Sequence, residues 1–198
     1  MKILQNSFNQ YLNNNYFFEK KPTIAVAVSG GPDSMCLIYL LKNWINVNNG
    51  SIVALIIDHQ LRKESKEESY LIKKYLLKNK ISTKIIKINK KLVIKKSMKE
   101  ARENRYEKLI KYCHRKNIFH LFLAHHYNDN IETFLIRKLS GSNFEGLRGM
   151  QYKSISNSIQ ILRPLLFHTK KEILEFNLNN KIFYLNDPSN LNLKYTRV

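Results

Sequence analysis

Along the chain, short unbroken apolar runs alternate with longer segments whose apolar residues recur every three or four positions. Ile3, Leu4, Phe8, Tyr11 and Leu12 share one side of a helix within Met1 to Tyr16, and Pro22 stops it before the next apolar run. Thr23 to Val28 reads as a buried strand, Ser29-Gly30-Gly31-Pro32 as a tight loop, and Met35, Leu37, Ile38, Leu40 and Leu41 as the apolar positions of a helix. The unit repeats. Ser51 to Ile57 is a second strand, Ser65 to Asn79 a helix with Tyr70, Leu71, Tyr75 and Leu76 on its face, and Ile81 to Ile88 a third strand. Ser97 to Lys116 carries Met98, Ala101, Tyr106, Leu109, Ile110 and Cys113 at helical steps and runs into the apolar stretch Ile118 to Ala124. This alternation predicts an α/β fold, a Rossmann-like doubly wound parallel sheet flanked by helices and joined by right-handed crossovers. The expected division is an N-terminal packing helix over 1–22, a core domain over 23–150 and an extension of that domain over 151–198. No repeat beyond the βα alternation is present, and no linker precedes about Gly149.

Charge changes the picture toward a polyanionic partner. The 34 Lys and Arg outnumber the 15 Asp and Glu, giving a net charge of +19. The segment Lys78 to Lys99 alone holds nine lysines and no acid, a candidate grip for RNA phosphates or simply a solvated face. Twenty-six of the basic residues are lysine beside abundant Ile and Asn, a composition that AT-rich coding also produces. Cys36 and Cys113 lie far apart and form neither a CxxC pair nor a zinc spacing, which fits a reducing, cytoplasmic setting. The N-terminus lacks an apolar signal stretch, and no run approaches about 18 consecutive apolar residues, so neither secretion nor a membrane partner is expected.

Five of the six glycines fall in two places, Gly30 and Gly31, then Gly141, Gly146 and Gly149. After a strand, Gly30-Gly31 lets the backbone approach a ligand, and the unpaired N–H groups opening the next helix favour an anion such as phosphate. Ser29 and Ser34 add hydroxyls, and Asp33 can share a divalent cation with the phosphates. The spacing is neither G-x-x-x-x-G-K-[ST] nor G-x-G-x-x-G, which disfavours a kinase-like γ-phosphate site and a dinucleotide fold of the usual type. A plain strand-to-helix turn with Asp33 as a helix-start charge is the alternative.

Ser29, Asp58 and His125 each follow a strand and are expected to converge on one crevice. Asp58-His59-Gln60-Leu61-Arg62 leaves the second strand, and His125, His126, Asp129 and Glu132 open a helix whose other face is Ile131, Phe134, Leu135 and Leu139. Asp129 and Glu132, three apart, share a face. Asp58, His59, His125, His126 and Asp129 are also a donor set that a catalytic metal pair in a phosphoesterase would use.

The string Ser29-Gly30-Gly31-Pro32-Asp33-Ser34 resembles the pyrophosphate loop of the N-type ATP pyrophosphatases, the PP-loop superfamily of adenine nucleotide alpha hydrolase-like fold. Over about Thr23 to Val198 the resemblance narrows to the bacterial tRNA(Ile)-lysidine synthases. It is carried by Asp58 to Ser65, Ala101 to Tyr106, Leu123-Ala124-His125-His126 through Asp129, Glu132-Thr133, Gly141-Ser142, Gly146 to Met150, Arg163-Pro164-Leu165 and Asp187 to Asn190, in that order. Departures accompany it. Asn128 and Asn130 stand where many members carry Asp and Gln, and Leu139-Ser140-Gly141 lacks a common arginine. Tyr195-Thr196-Arg197-Val198 resembles the start of a longer basic motif, so the family's C-terminal tRNA-binding domains are expected to be absent from this chain.

The resemblance implies an enzyme, a carbon–nitrogen ligase, that uses ATP and Mg²⁺. It would adenylate C2 of cytidine 34 in tRNA(Ile) bearing a CAU anticodon, releasing diphosphate, and then place free L-lysine there. It assigns ATP to Ser29, Gly30, Gly31, Pro32, Asp33, Ser34 and Asp58, Mg²⁺ to Asp33, and catalysis to Asp33, Arg105, His125 and Asp129. His59, Arg62, Asp129 and Glu132 would bind substrate, with Arg105 or Arg62 serving the α-phosphate. A homodimer is one allowed assembly. Another PP-loop tRNA-modifying enzyme, a metal phosphoesterase and a non-catalytic RNA-binding protein stand as alternatives, although a thiolase would need reactive cysteines.

Overall fold

The order of elements follows the apolar rhythm. A computed structural model describes residues 2–58, 64–88, 98–143 and 146–185. α1 (Lys2–Asn15) leads into β1 (Thr23–Val28), α2 (Pro32–Val47), β2 (Ser51–Asp58), α3 (Glu64–Lys78), β3 (Ser82–Lys87) and α4 (Met98–Arg115). Then come β4 (His120–Phe122), α5 (Tyr127–Leu139), β5 (Lys153–Ser156), β6 (Ile159–Leu162), a 3-10 turn (Pro164–Phe167) and α6 (Lys170–Asn179). Strand boundaries differ from the sequence expectation by a residue or two, and Asp58 proves to be the last residue of β2.

Six strands form one sheet in the order β3-β2-β1-β4-β6-β5. β1 pairs in parallel with β2 on one side and β4 on the other, so the order reverses beside β1. The edge departs from a purely parallel sheet. β5 runs antiparallel to β6 because the two residues between them, Asn157 and Ser158, leave no room for a crossover. Both sit at positive φ, 45° and 61°, the backbone that a two-residue hairpin requires.

Alternate strand residues face two separate cores. Ile24, Val26, Val28, Ala54, Ile56, Phe122 and Leu162 pack with α1, α2, Ile72 and Leu76 of α3, and α6. On the opposite face Ala25, Val53, Leu55, Leu121, Ile159 and Ile161 pack against Leu109, Ile110 and Cys113 of α4. Helices on both faces make the sheet doubly wound. α1 buries Phe8 and Leu12 completely and is tied to α2 by Trp44 Nε1 donating to Asn13 Oδ1 at 3.1 Å. Among the described residues no helix is long and apolar enough to cross a membrane.

Truncating a fully buried leucine removes transfer energy and leaves a cavity. Leu12→Ala is expected to destabilise the protein by about 2–5 kcal/mol in urea unfolding, and a loss well below that would detach α1 from the cooperative core.

Candidate active site

The loop after β1 is shaped by one hydroxyl. Ser34 Oγ accepts the N–H groups of Ser29 and Gly30, both at 3.2 Å, and donates to the Gly31 carbonyl at 3.0 Å. Ser29 Oγ accepts the Gly31 N–H at 3.3 Å, so three successive amides, Ser29 to Gly31, donate to hydroxyls of the loop itself. Gly30 has φ +91°, and a Cβ there would meet Ile72 Cγ1 at 2.9 Å. Only glycine fits both demands. Gly31 caps α2 without a side-chain bond and Pro32 begins it, so the N–H groups of Asp33 and Ser34 open the helix without a side-chain cap, the arrangement that favours an anion.

α5 begins beside this loop. His126 is its N-cap: Nδ1 accepts the Asp129 N–H at 3.3 Å while Asp129 Oδ2 accepts the His126 N–H at 3.0 Å. Because Nδ1 is an acceptor, the ring proton belongs on Nε2. Nε2 lies 3.8 Å from Asp33 Oδ1 and 3.7 Å from Asp129 Oδ2, between the phosphate-type loop and the helix carboxylate. Asp33 also pairs with the ammonium of Lys170, the first residue of α6. The backbone there is fixed by Thr169 and Glu172, which form a capping box, and by Asn128 Oδ1, which accepts the Lys170 N–H at 2.9 Å.

Arginines surround the neighbouring histidine. Burial, the Arg163 charge, and then Arg102 and Arg105 lower the His125 pKa to about 4 against the opposing pull of Asp129. His125 is therefore neutral near pH 7, and its Nδ1 has no hydrogen-bond partner among the described residues. Arg163, at the end of β6, is buried and donates to Gln151 O at 2.9 Å and Ser154 Oγ at 3.1 Å. Arg102 and Arg105 flank the Tyr106 ring, at 5.7 Å and 5.9 Å from its centre. Asp58 is buried at the end of β2, where Ser65 Oγ donates to its Oδ1 at 3.1 Å.

The fold thus gathers Ser29 to Ser34, His126 and Asp129 at one place, with Arg105 acting electrostatically on His125 beside them. His59, Arg62, Asp187 to Asn190 and Tyr195 to Val198 lie outside the described residues, as do 89–97 of the lysine-rich segment. Its described lysines, Lys78, Lys80, Lys84 and Lys87, are exposed. Among the described residues no group of three or more His, Cys, Asp or Glu is arranged to hold an ion, and His59 of the expected donor set lies outside them. The apolar face of α5 is not buried: Ile131, Phe134 and Leu135 are 40–49% exposed and Leu139 is 88% exposed. The helix is seated instead by polar ends, such as the Tyr127 N–H on His168 O at 2.9 Å. Both asparagine departures have structural work. Asn128 anchors Lys170, and Asn130 Oδ1 accepts the Met150 N–H at 2.7 Å where Gly149 leaves room for it. Cys36 and Cys113 are buried, and burial raises both thiols, Cys113 to about 12, which is unsuited to sulfur transfer.

Sequence reasoning missed Lys170. One lysine among 26 carries no signal of its own, but Thr169-x-x-Glu172 is a legible capping box that puts Lys170 at a helix start.

A concave loop of amides at the carboxyl end of a parallel sheet, where strand order reverses, defines a nucleotide-phosphate-binding α/β domain. The chain belongs to the PP-loop domain family, whose model matches residues 1–198. It is 38% identical over 192 residues to a tRNA(Ile)-lysidine synthase of Wolbachia pipientis wMel, covering 96% of this chain and 44% of that protein. It is 36% identical over 180 residues to the tRNA(Ile)-lysidine synthase of Orientia tsutsugamushi strain Boryong, covering 91% of this chain and 41% of that one. The chain spans less than half the length of these curated relatives. Among solved structures it is similar to the U34-tRNA thiolase NcsA from Methanococcus maripaludis with its [4Fe-4S] cluster, with TM-score 0.77 at 14% identity over 94% of this chain and 66% of that one. It is also similar to the NH3-dependent NAD synthetase from Campylobacter jejuni, with TM-score 0.53 at 17% identity over 98% of this chain and 76% of that one. These two likenesses establish the fold alone.

The depressed His125 pKa has a thermodynamic consequence. An unfolded histidine takes up a proton near 6.5 and folded His125 only near 4, so between those values the unfolded state binds more protons and stability falls as pH drops. His168, also lowered by burial, adds in the same direction. Melting temperatures measured from pH 7 to 4 should fall less steeply for His125→Asn than for the parent chain; identical slopes would disprove a depressed His125 pKa.

Proposed function

We propose that this chain carries the tRNA-adenylating and lysine-transferring site of a tRNA(Ile)-lysidine synthase. One observation carries the proposal: the amide-lined loop and the histidine-carboxylate turn meet, with His126 Nε2 3.8 Å from Asp33 and 3.7 Å from Asp129. A phosphate site beside a carboxylate site is what joining a nucleotide-activated base to an amine demands. The names of the relatives, 33–38% identical over most of the chain, supply the substrate class.

The cytidine 34 O2 attacks the α-phosphorus of ATP, the bond to the β-phosphate breaks and diphosphate leaves. The amides of Asp33 and Ser34 in the first turn of α2 receive the charge that develops on diphosphate. Arg105 serves the α-phosphate. Mg²⁺ fits Asp33, because its carboxylate already draws cationic groups and one carboxylate plus phosphates is a usual Mg²⁺ set; it would neutralise phosphate charge. Asp129 and Glu132 hold the lysine ammonium and take the proton that frees its ε-amine, which displaces AMP at C2. Neutral His125 offers a hydrogen bond without adding charge next to the arginines. The unpaired base of an anticodon loop reaches the crevice at small unstacking cost, and the exposed lysines of the 78–99 segment grip tRNA phosphates. A cytoplasmic setting follows from these substrates, and 1–22, 23–150 and 151–198 act as packing helix, core and extension.

Incubation with ATP, Mg²⁺, labelled lysine and an isoleucine tRNA transcript tests the proposal. AMP and diphosphate should appear, not ADP, and Asp33→Ala should cut adenylation by about 100-fold or more with an unchanged circular dichroism spectrum. ADP and orthophosphate as the main products would overturn it.

Asp129→Ala and Glu132→Ala should divide the two half-reactions. Adenylated tRNA should still form while lysine transfer falls and the lysine KM rises. Equal loss of both steps would remove these carboxylates from the lysine subsite.

A further inference from the structure

Lys170 belongs to no motif used above, yet its ammonium is the cationic group in direct contact with the carboxylate assigned to Mg²⁺. The contact is built from several sides. α6 lies against α2 and grips the loop at two points on one of its faces: Lys170 on the Asp33 carboxylate, and buried Asn177, whose Nδ2 donates to the Pro32 carbonyl at 2.9 Å. Positions 170 and 177, seven apart, share a helix face. The Lys170 backbone is held from the other side by Asn128 in the first turn of α5. The ammonium is therefore presented to Asp33 by a braced helix start, and both side chains are only about a third exposed, at 34% and 27%.

We propose that Lys170 is a resident counter-cation of Asp33 that a divalent metal must displace, so that metal loads together with the nucleotide and not ahead of it. A carboxylate neutralised by a tethered ammonium offers little to a free divalent ion. Arriving phosphates supply the alternative partner: the ammonium passes to a phosphate oxygen, and Asp33 is released to the metal that those phosphates bring. Lysine suits this exchange because its charge is a point on a flexible stem that can turn from one anion to another. The proposal rests on the nucleotide-binding role given above to Asp33, but its metal test needs neither tRNA nor lysine.

The experiment measures Mn²⁺ binding to the nucleotide-free 198-residue chain by electron paramagnetic resonance of the free ion, and inorganic pyrophosphate binding by calorimetry. Lys170→Met and Lys170→Gln should each bind Mn²⁺ about fivefold or more tighter than the parent, lose a comparable factor in pyrophosphate affinity, and melt as folded proteins. Lys170→Arg should stay near the parent in Mn²⁺ binding. Adding Asp33→Asn to Lys170→Met should abolish the gain. Unchanged Mn²⁺ affinity in both folded neutral variants, or a gain that survives Asp33→Asn, overturns the proposal. Absence of lysidine formation by the parent chain, with the Mn²⁺ pattern intact, would instead count against the proposed function alone.

Discussion

The Ser34 hydroxyl joins two amides before it to a carbonyl between them, so a single side chain in the first turn of α2 folds the preceding loop back onto its own helix. That closure needs Gly30 at φ +91°, with Ile72 below it and its carbonyl taken by the Leu185 N–H at 2.9 Å. The loop is thus fastened to α3 and to the 182–185 segment as well as to β1. It stands beside β1, where strand order reverses, the position at which open α/β sheets bind ligands. Anion affinity then follows from backbone geometry, and the side chains around it are left to handle charge.

The parts of this design that rest on periodicity were legible in the chain. Thr23 to Val28 and Ser51 to Ile57 are continuous apolar runs because both faces of their strands are covered, and the six-residue loop announces itself by glycines that are otherwise scarce. The β5–β6 hairpin was harder to see, because four-residue strands with polar residues resemble loop and the turn pair is Asn-Ser rather than a glycine pair. α5 shows what a helical pattern alone does not reveal. Its apolar positions keep helical spacing, yet the helix is held by caps and end contacts, so the pattern speaks for helix and not for burial. Lys170 and Arg163 were beyond periodicity altogether, since what matters is which anion or ring they meet across the fold.

The two adjacent histidines make the same point at the scale of one peptide bond. They have the same intrinsic chemistry and leave the same strand, but successive side chains diverge, and their surroundings divide the work. His126 spends Nδ1 on the helix amide at Asp129, which fixes its tautomer and turns its remaining N–H toward two carboxylates. His125 is half-buried and feels the charges of three arginines, so desolvation and repulsion keep it neutral. Protonating His125 would set like charges against Arg163, Arg102 and Arg105. Positive charge thus acts around His125, and carboxylates gather around His126, on either side of one peptide bond. Asp33 lies on the border, and a tethered lysine covers its charge there.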